Sequence, residues 1–319
     1  MKTGKYILLA AALILASCEK NVIEFDEVSL TDQAVIQLHY MVPLASVNAI
    51  YNIYRIDING VNVSNDQISI TQYGTQPAAG IGGFITKSGN TNLKLYMRET
   101  VMENGVAKSV DKLVYDKDVV LASGVQNVVI TDFDAAPFVY PGEVTWEVDT
   151  KQFDADTVAY LKFYNLMYET PGVPTKLKLQ YQYQYTIHPI YVAGDEIPEG
   201  KALGDATGDT SKSPWLDLGK PVGFGECTGW QICPVKRTTY ISTGSARVDF
   251  RIVVTEGGTV GVDMDADGLL YGYDRSSAKF MTYTDYWTEY VGRRRHHFFV
   301  GTRNGAPGFD VPSPYYALY

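Results

Sequence analysis

Apolar and polar residues alternate with a period of two along much of this chain. From Lys176 to Ile187, Leu177, Leu179, Tyr181, Tyr183, Tyr185 and Ile187 fall on one face. Lys176, Lys178, Gln180, Gln182, Gln184 and Thr186 fall on the other. Such alternation predicts a strand with one face buried and one wet. Leu93, Leu95 and Met97 repeat the pattern, as do Val248, Phe250, Ile252 and Val254. The dipeptides Asn59-Gly60, Asn104-Gly105, Gly257-Gly258 and Asn304-Gly305 punctuate the runs and supply the positive φ angles that tight hairpins need. Helical periodicity is nearly absent after the first 17 residues. The expected fold class is all-β, built from sandwiches.

A short internal repeat divides the body in two. Ala34-Val35-Ile36-Gln37-Leu38-His39-Tyr40 is similar to Ala159-Tyr160-Leu161-Lys162-Phe163-Tyr164-Asn165. Each leads into an alternating strand, over 50–63 in the first half and 176–192 in the second. Pro137 and Pro141-Gly142 interrupt the pattern, so the expected units are 33–142 and 143–319. Residues 194–235 are rich in Gly, Pro and Asp and read as an insertion in the second unit.

The N-terminus carries an address. Lys2 and Lys5 precede an apolar run over 6–16, too short to span a bilayer, followed by Leu15-Ala16-Ser17-Cys18. This predicts a signal peptide over 1–17 whose end resembles the bacterial lipobox, with Cys18 lipidated as the new N-terminus. Each buried acyl methylene contributes about 0.8 kcal/mol, so several chains hold a protein firmly at a membrane. Residues 18–32 read as an acidic tether. The expected location is the outer membrane, lipid-anchored and exposed at the cell surface. With 27 basic and 36 acidic residues the formal charge is −9, and losing Lys2 and Lys5 makes the remainder more acidic. Such a charge disfavours nucleic acid as a partner, because phosphate binding needs a positive footprint.

The lipobox, the opening strand and the aromatic-aliphatic strand running into Asn59-Gly60 together resemble the domain of unknown function 4397, found on Bacteroidota-type secreted and lipid-anchored proteins. Residues 34–134 carry the resemblance, and 158–300 carry part of it. It implies tandem immunoglobulin-like sandwiches and a cell-envelope role, and supplies no catalytic residues.

The residues themselves point away from catalysis. There is no phosphate-binding loop, no paired-histidine zinc helix and no nucleophile elbow, so no enzyme is expected. Arg293-Arg294-Arg295-His296-His297 is a basic run that suits either an anion contact or a charged, protected strand end. Tyrosine dominates the aromatic residues, 24 against 12 Phe and 4 Trp. It serves both half-buried strands and recognition surfaces. Tyr283, Tyr286, Trp287 and Tyr290 lie among polar residues as a candidate exposed patch, with Tyr286 and Trp287 as candidate ligand contacts.

Two local motifs remain. Outside the cytoplasm, Cys227 and Cys233 are expected to form a disulfide, closing a small loop with Trp230 at its apex. Trp230 is then either a stacking platform for a ligand or a cover for the core. Asp263, Asp265, Asp267, Leu269 and Asp274 match positions 1, 3, 5, 7 and 12 of a calcium loop, with Gly268 at position 6. Calcium is therefore a candidate cofactor, and a plain hairpin turning at Asp267-Gly268 is the alternative. Two functions fit: a surface module binding a glycan or protein partner, or a structural envelope subunit without a small ligand.

Overall fold

The computed structural model describes residues 31–44, 48–64, 69–77, 83–142, 158–187, 191, 193–205, 207–208, 211–234, 245–274 and 279–314. The expected signal peptide, Cys18 and most of the tether lie outside them. Among the described residues, strands carry almost all the regular structure; the exception is a single 3-10 turn at Ala49–Tyr51. The first nine strands are β1 (Gln33–Tyr40), β2 (Ile53–Ile58), β3 (Val61–Asn62), β4 (Gly74–Gln76), β5 (Phe84–Lys87), β6 (Gly89–Glu103), β7 (Val106–Leu121), β8 (Gly124–Ile130) and β9 (Phe138–Pro141). Next come β10 (Val158–Asn165), β11 (Tyr168–Thr170), β12 (Val173–Pro174), β13 (Lys178–Ile187), β14 (Ser211–Lys212), β15 (Leu216–Asp217) and β16 (Gln231–Pro234). The chain ends with β17 (Ser245–Glu256), β18 (Tyr271–Asp274), β19 (Lys279–Thr282), β20 (Thr284–Tyr290), β21 (Arg294–Gly301) and β22 (Phe309–Asp310).

These strands build four main sheets. In the first half, β1 lies between β8 and the pair β4 and β5, with β9 beyond β8, while β3-β2-β6-β7 forms the facing sheet. In the second half, β16-β10-β21-β22-β18-β19 faces a sheet in which β13 lies between β17 and the short β14 and β15, with β20 at the far edge. The Asn-Gly turns fall where expected. Asn59 and Gly60 (φ 51° and 78°) join β2 to β3, and Asn104 and Gly105 (φ 53° and 79°) join β6 to β7.

The sequence repeat marks equivalent strands. β1 runs parallel to β8, from Ala34↔Gly124 to Tyr40↔Ile130. β10 likewise runs parallel to β21, from Tyr160↔Arg294 to Asn165↔Phe299. The inward positions of each strand fill one core. Ile36, Leu38 and Tyr40 meet Leu93, Leu95 and Tyr115 in the first sandwich. Leu161 and Phe163 meet Leu179, Tyr181, Phe250 and Ile252 in the second. The Tyr181 ring is stacked between Phe163 and Phe250, with centroids 4.2 and 5.1 Å away.

The outward positions of the same strands are also buried. Met41, Val129 and Tyr140 from the first half pack with Tyr164, Leu166, Phe298 and Val300 from the second, making a third apolar cluster. The β1 and β10 sheets are thus covered on both faces, giving an order of four sheets with a seam in the middle.

Two expectations change. Residues 194–235 are more than an excursion: β14 and β15 edge β13, β16 edges β10, and Leu218 and Val222 are core residues. The basic run does open a strand, β21 from Arg294, but that strand is no exposed edge. β21 is central between β10 and β22, and Arg295, His296 and His297 are buried.

Candidate functional site: a groove along β20

The alternation of β20 creates the site. Odd positions Asp285, Trp287 and Glu289 turn toward the space between the two sheets, and even positions such as Tyr286 turn outward. Because β20 is a sheet edge, its inner row faces an opening. Asp274, Met281, Tyr283, Asp285, Phe309 and Asp310 line a groove of about 640 Å³ there. A second groove of about 630 Å³ follows Asp285, Tyr286, Trp287, Tyr290, Arg295 and Asp310. Shared Asp285 and Asp310 make the two run on from one another. The lining offers carboxylate acceptors, ring faces and one guanidinium, the groups that hold a polyhydroxylated ligand.

A buried ionic cluster lies behind this wall. Glu289, 1% exposed, has Oε1 3.4 Å from Arg295 Nη1 and 3.6 Å from His297 Nε2. His297 Nδ1 lies 2.9 Å from the Tyr181 hydroxyl. Burial pushes His297 below the ordinary imidazole range, opposed by its carboxylate neighbour Glu289. The Tyr283 hydroxyl donates toward Asp285 Oδ2 at 3.4 Å, and burial raises Tyr283 well above the ordinary phenol range. Arg295 spans the cluster and the groove, its guanidinium 5.2 Å from the Trp287 ring centre.

The four expected aromatic residues do not form one patch. Tyr283 is buried, and Trp287 packs against the second core. Tyr286, 56% exposed, is on the outer face beneath the Arg247 guanidinium, 3.8 Å from its ring centre. Of the predicted ligand contacts, Trp287 therefore belongs to the inner row, and Tyr286 borders the second groove from the outer face. Arg295 comes from the basic run read as a candidate anion contact, while Asp285 and Asp310 were not singled out from sequence. The period-two row Tyr283, Asp285, Trp287, Glu289 was the legible signal for Asp285.

The calcium loop is not assembled. Asp263 pairs with Arg303 Nη2 at 2.7 Å and accepts the Thr259 N–H. Asp265 Oδ1 accepts the N–H groups of Asp267 and Leu269, and the Leu269 carbonyl accepts the Asp265 N–H. Asp274 lies in β18 and faces the groove instead. Asp263 and Asp265 are thus used in ion-pair and turn bonding, and no metal-holding group occurs among the described residues. Millimolar calcium is expected to leave the melting temperature unchanged; a clear rise in a thermal scan would overturn this.

The expected disulfide is also corrected. Both cysteines are free thiols. Cys233 pairs with Ala159 and Cys227 with Tyr164, five positions apart on β10. That is about 17 Å along a strand, beyond the roughly 7 Å between Cα atoms that a disulfide spans. Thiol titration of the denatured, unreduced chain lacking residues 1–18 is expected to count two thiols, and a count of zero would restore the bridge. Trp230 is no exposed platform: it folds back onto His296, ring centres 5.1 Å apart. No family model matches the chain, and no curated protein matches it.

Proposed function

We propose that this is a lipid-anchored envelope protein, held through Cys18, whose second sandwich binds a glycan in the groove along β20 without turning it over. The observation that carries this reading is the convergence of Asp285, Trp287, Arg295 and Asp310 on one open sheet edge. Carboxylates there would accept sugar hydroxyls in charge-assisted bonds, and the Trp287 ring would cover an apolar sugar face.

A glycan array probed with the chain lacking residues 1–18, followed by calorimetry on any hit, tests it. Asp285→Ala and Trp287→Ala are each expected to weaken binding about tenfold, the equivalent of about 1.4 kcal/mol. Val120→Ala, exposed on the first sandwich, is expected to change it little. An array without hits, or equal losses from all three, would remove the glycan reading.

A structural envelope subunit is the second reading, favoured by the β6–β7 hairpin. The hairpin runs past its last pairing with β2 at Met97, and it exposes Met102 and Val106 (69% and 67%) beside its tip. An arm of that kind suits contact with another chain.

A further inference from the structure

We propose that the outer face of the β13–β17–β20 sheet is a second binding site, which takes a linear acidic polysaccharide by its uronic acid groups. Along β17, Val248, Phe250 and Ile252 are buried in the second core, so Arg247, Asp249 and Arg251 share the opposite face. Each arginine lies over an aromatic ring. The Arg247 guanidinium is 3.8 Å from the Tyr286 ring centre, and that of Arg251 is 4.4 Å from the Trp215 ring centre. Tyr286 comes from β20, and Trp215 immediately precedes β15, which pairs with β13 through Gln182↔Asp217. Four residues separate the two arginines on one strand, about 13 Å. The face lies opposite the inner row of β20 and meets the groove edge at Tyr286.

Both guanidinium forks are held in place before any ligand arrives. Arg247 Nε donates to Asp249 Oδ1 at 2.9 Å, and Arg251 Nε donates to Gln182 Oε1 at 2.7 Å. Gln182 is itself fixed, its Nε2 donating to Asp217 Oδ1 at 2.7 Å. With Nε bound and a ring against it, each planar fork keeps its Nη donors in a set plane, the arrangement that meets a carboxylate in two parallel bonds. Lys212 adds a third cation by donating to Asp249 Oδ2. Burial opposes the charge on Asp249, but the bonds from Lys212 and Arg247 hold it below the ordinary carboxylate range, so it pins both cations. The Arg247 side chain is 48% exposed and Tyr286 is exposed too, which leaves fork and ring open to a ligand.

The two ends differ in charge, and the difference sets the ligand. At one end Lys212 and Arg247 share the carboxylate of Asp249. At the other, Asp217, Asp265 and Asp267 lie close enough for their charge to act on Arg251. A uronic acid group therefore suits the Arg247–Lys212 end. The Arg251 end offers the partly exposed Trp215 ring, Asp217 and Gln182 to a neutral sugar. The acidic net charge of the chain does not forbid this, because distant exposed carboxylates are screened beyond about 8 Å at physiological ionic strength. A polysaccharide in which uronic acid and neutral sugar alternate presents both units along one extended chain.

Calorimetry of the purified full chain with a hyaluronan hexasaccharide, an alternating uronic acid and neutral amino sugar, tests the site, with neutral N-acetylchitohexaose as the comparison. The acidic oligosaccharide is expected to bind at least about tenfold more tightly than the neutral one, and to lose about tenfold in each of Arg247→Ala and Arg251→Ala. Should Arg247→Ala not fold, Arg247→Lys decides: it keeps a cation beside Asp249 but removes the fork, and the same loss of about tenfold is expected. No binding of the hexasaccharide, equal binding of the two oligosaccharides, or unchanged affinity in the arginine variants would each overturn the proposal. A loss in Asp285→Ala in place of the arginine variants would put the ligand in the β20 groove and overturn it as well.

Discussion

Glu289→Ala is expected to cost about 3–5 kcal/mol of folding stability, the range for removing one partner of a buried ion pair. The loss comes less from the missing attraction than from what stays behind. Arg295 remains, only 5% exposed. It also donates to the Thr288 carbonyl over a long 3.4 Å. His297 would also lose the carboxylate that opposes the effect of its burial. Replacing both charges, as in Glu289→Leu/Arg295→Met, is expected to cost much less than Glu289→Ala alone, because both members of the buried pair then leave the interior together. Urea unfolding of the three proteins checks this. A Glu289→Ala midpoint within about 1 kcal/mol of the parent would show that water already reaches the cluster.

The contrast between β13 and β21 shows what was legible in the sequence. For β13, alternation alone places Leu177, Leu179, Tyr181 and Tyr183 inside, and all four are buried. That inference needs only a local period and one wet face. For β21 the same local reading makes Arg293 to His297 a charged strand end, yet the strand is central and covered on both sides. Alternation assigns the second face to water and carries no sign that another sheet occupies it. The burial of His39, Lys162 and His296 was hidden for this reason. The calcium spacing failed for a different one. A ligand pattern fixes positions along the chain, and here the Asx bonds of Asp265 and the Arg303 ion pair use those acids first. The cysteine pair shows the same gap between spacing and register. The groove joins β20 to β22 across a turn of β21, a juxtaposition set by sheet order and not by any motif.

Gly301→Ala is expected to destabilise the fold by at least about 3 kcal/mol and to abolish binding in the β20 groove. Gly301 ends β21 at φ 101°, a conformation in which a side chain is strained by about 1–3 kcal/mol. A Cβ there would also run into the backbone carbonyl oxygen of Gly308 and lie 2.9 Å from Phe309 Cα. Neither obstacle is a flexible side-chain tip, so β22 itself must move. The turn that brings β22 back is tightly bonded: Thr302 N–H donates to the Gly308 carbonyl, and Gly308 N–H donates to the Gly305 carbonyl and to Thr302 Oγ1. Displacing it draws Phe309 out of the second core and Asp310 away from the groove wall. Gly305→Ala provides the internal control. Gly305 has a similar φ of 96°, but an added Cβ meets nothing within 4 Å, so only the conformational strain applies. Thermal and urea unfolding of both variants separate the two contributions. Equal losses at positions 301 and 305 would mean that close approach of β22 to β21 does not hold this edge of the sandwich together, and that the groove wall is set by other contacts.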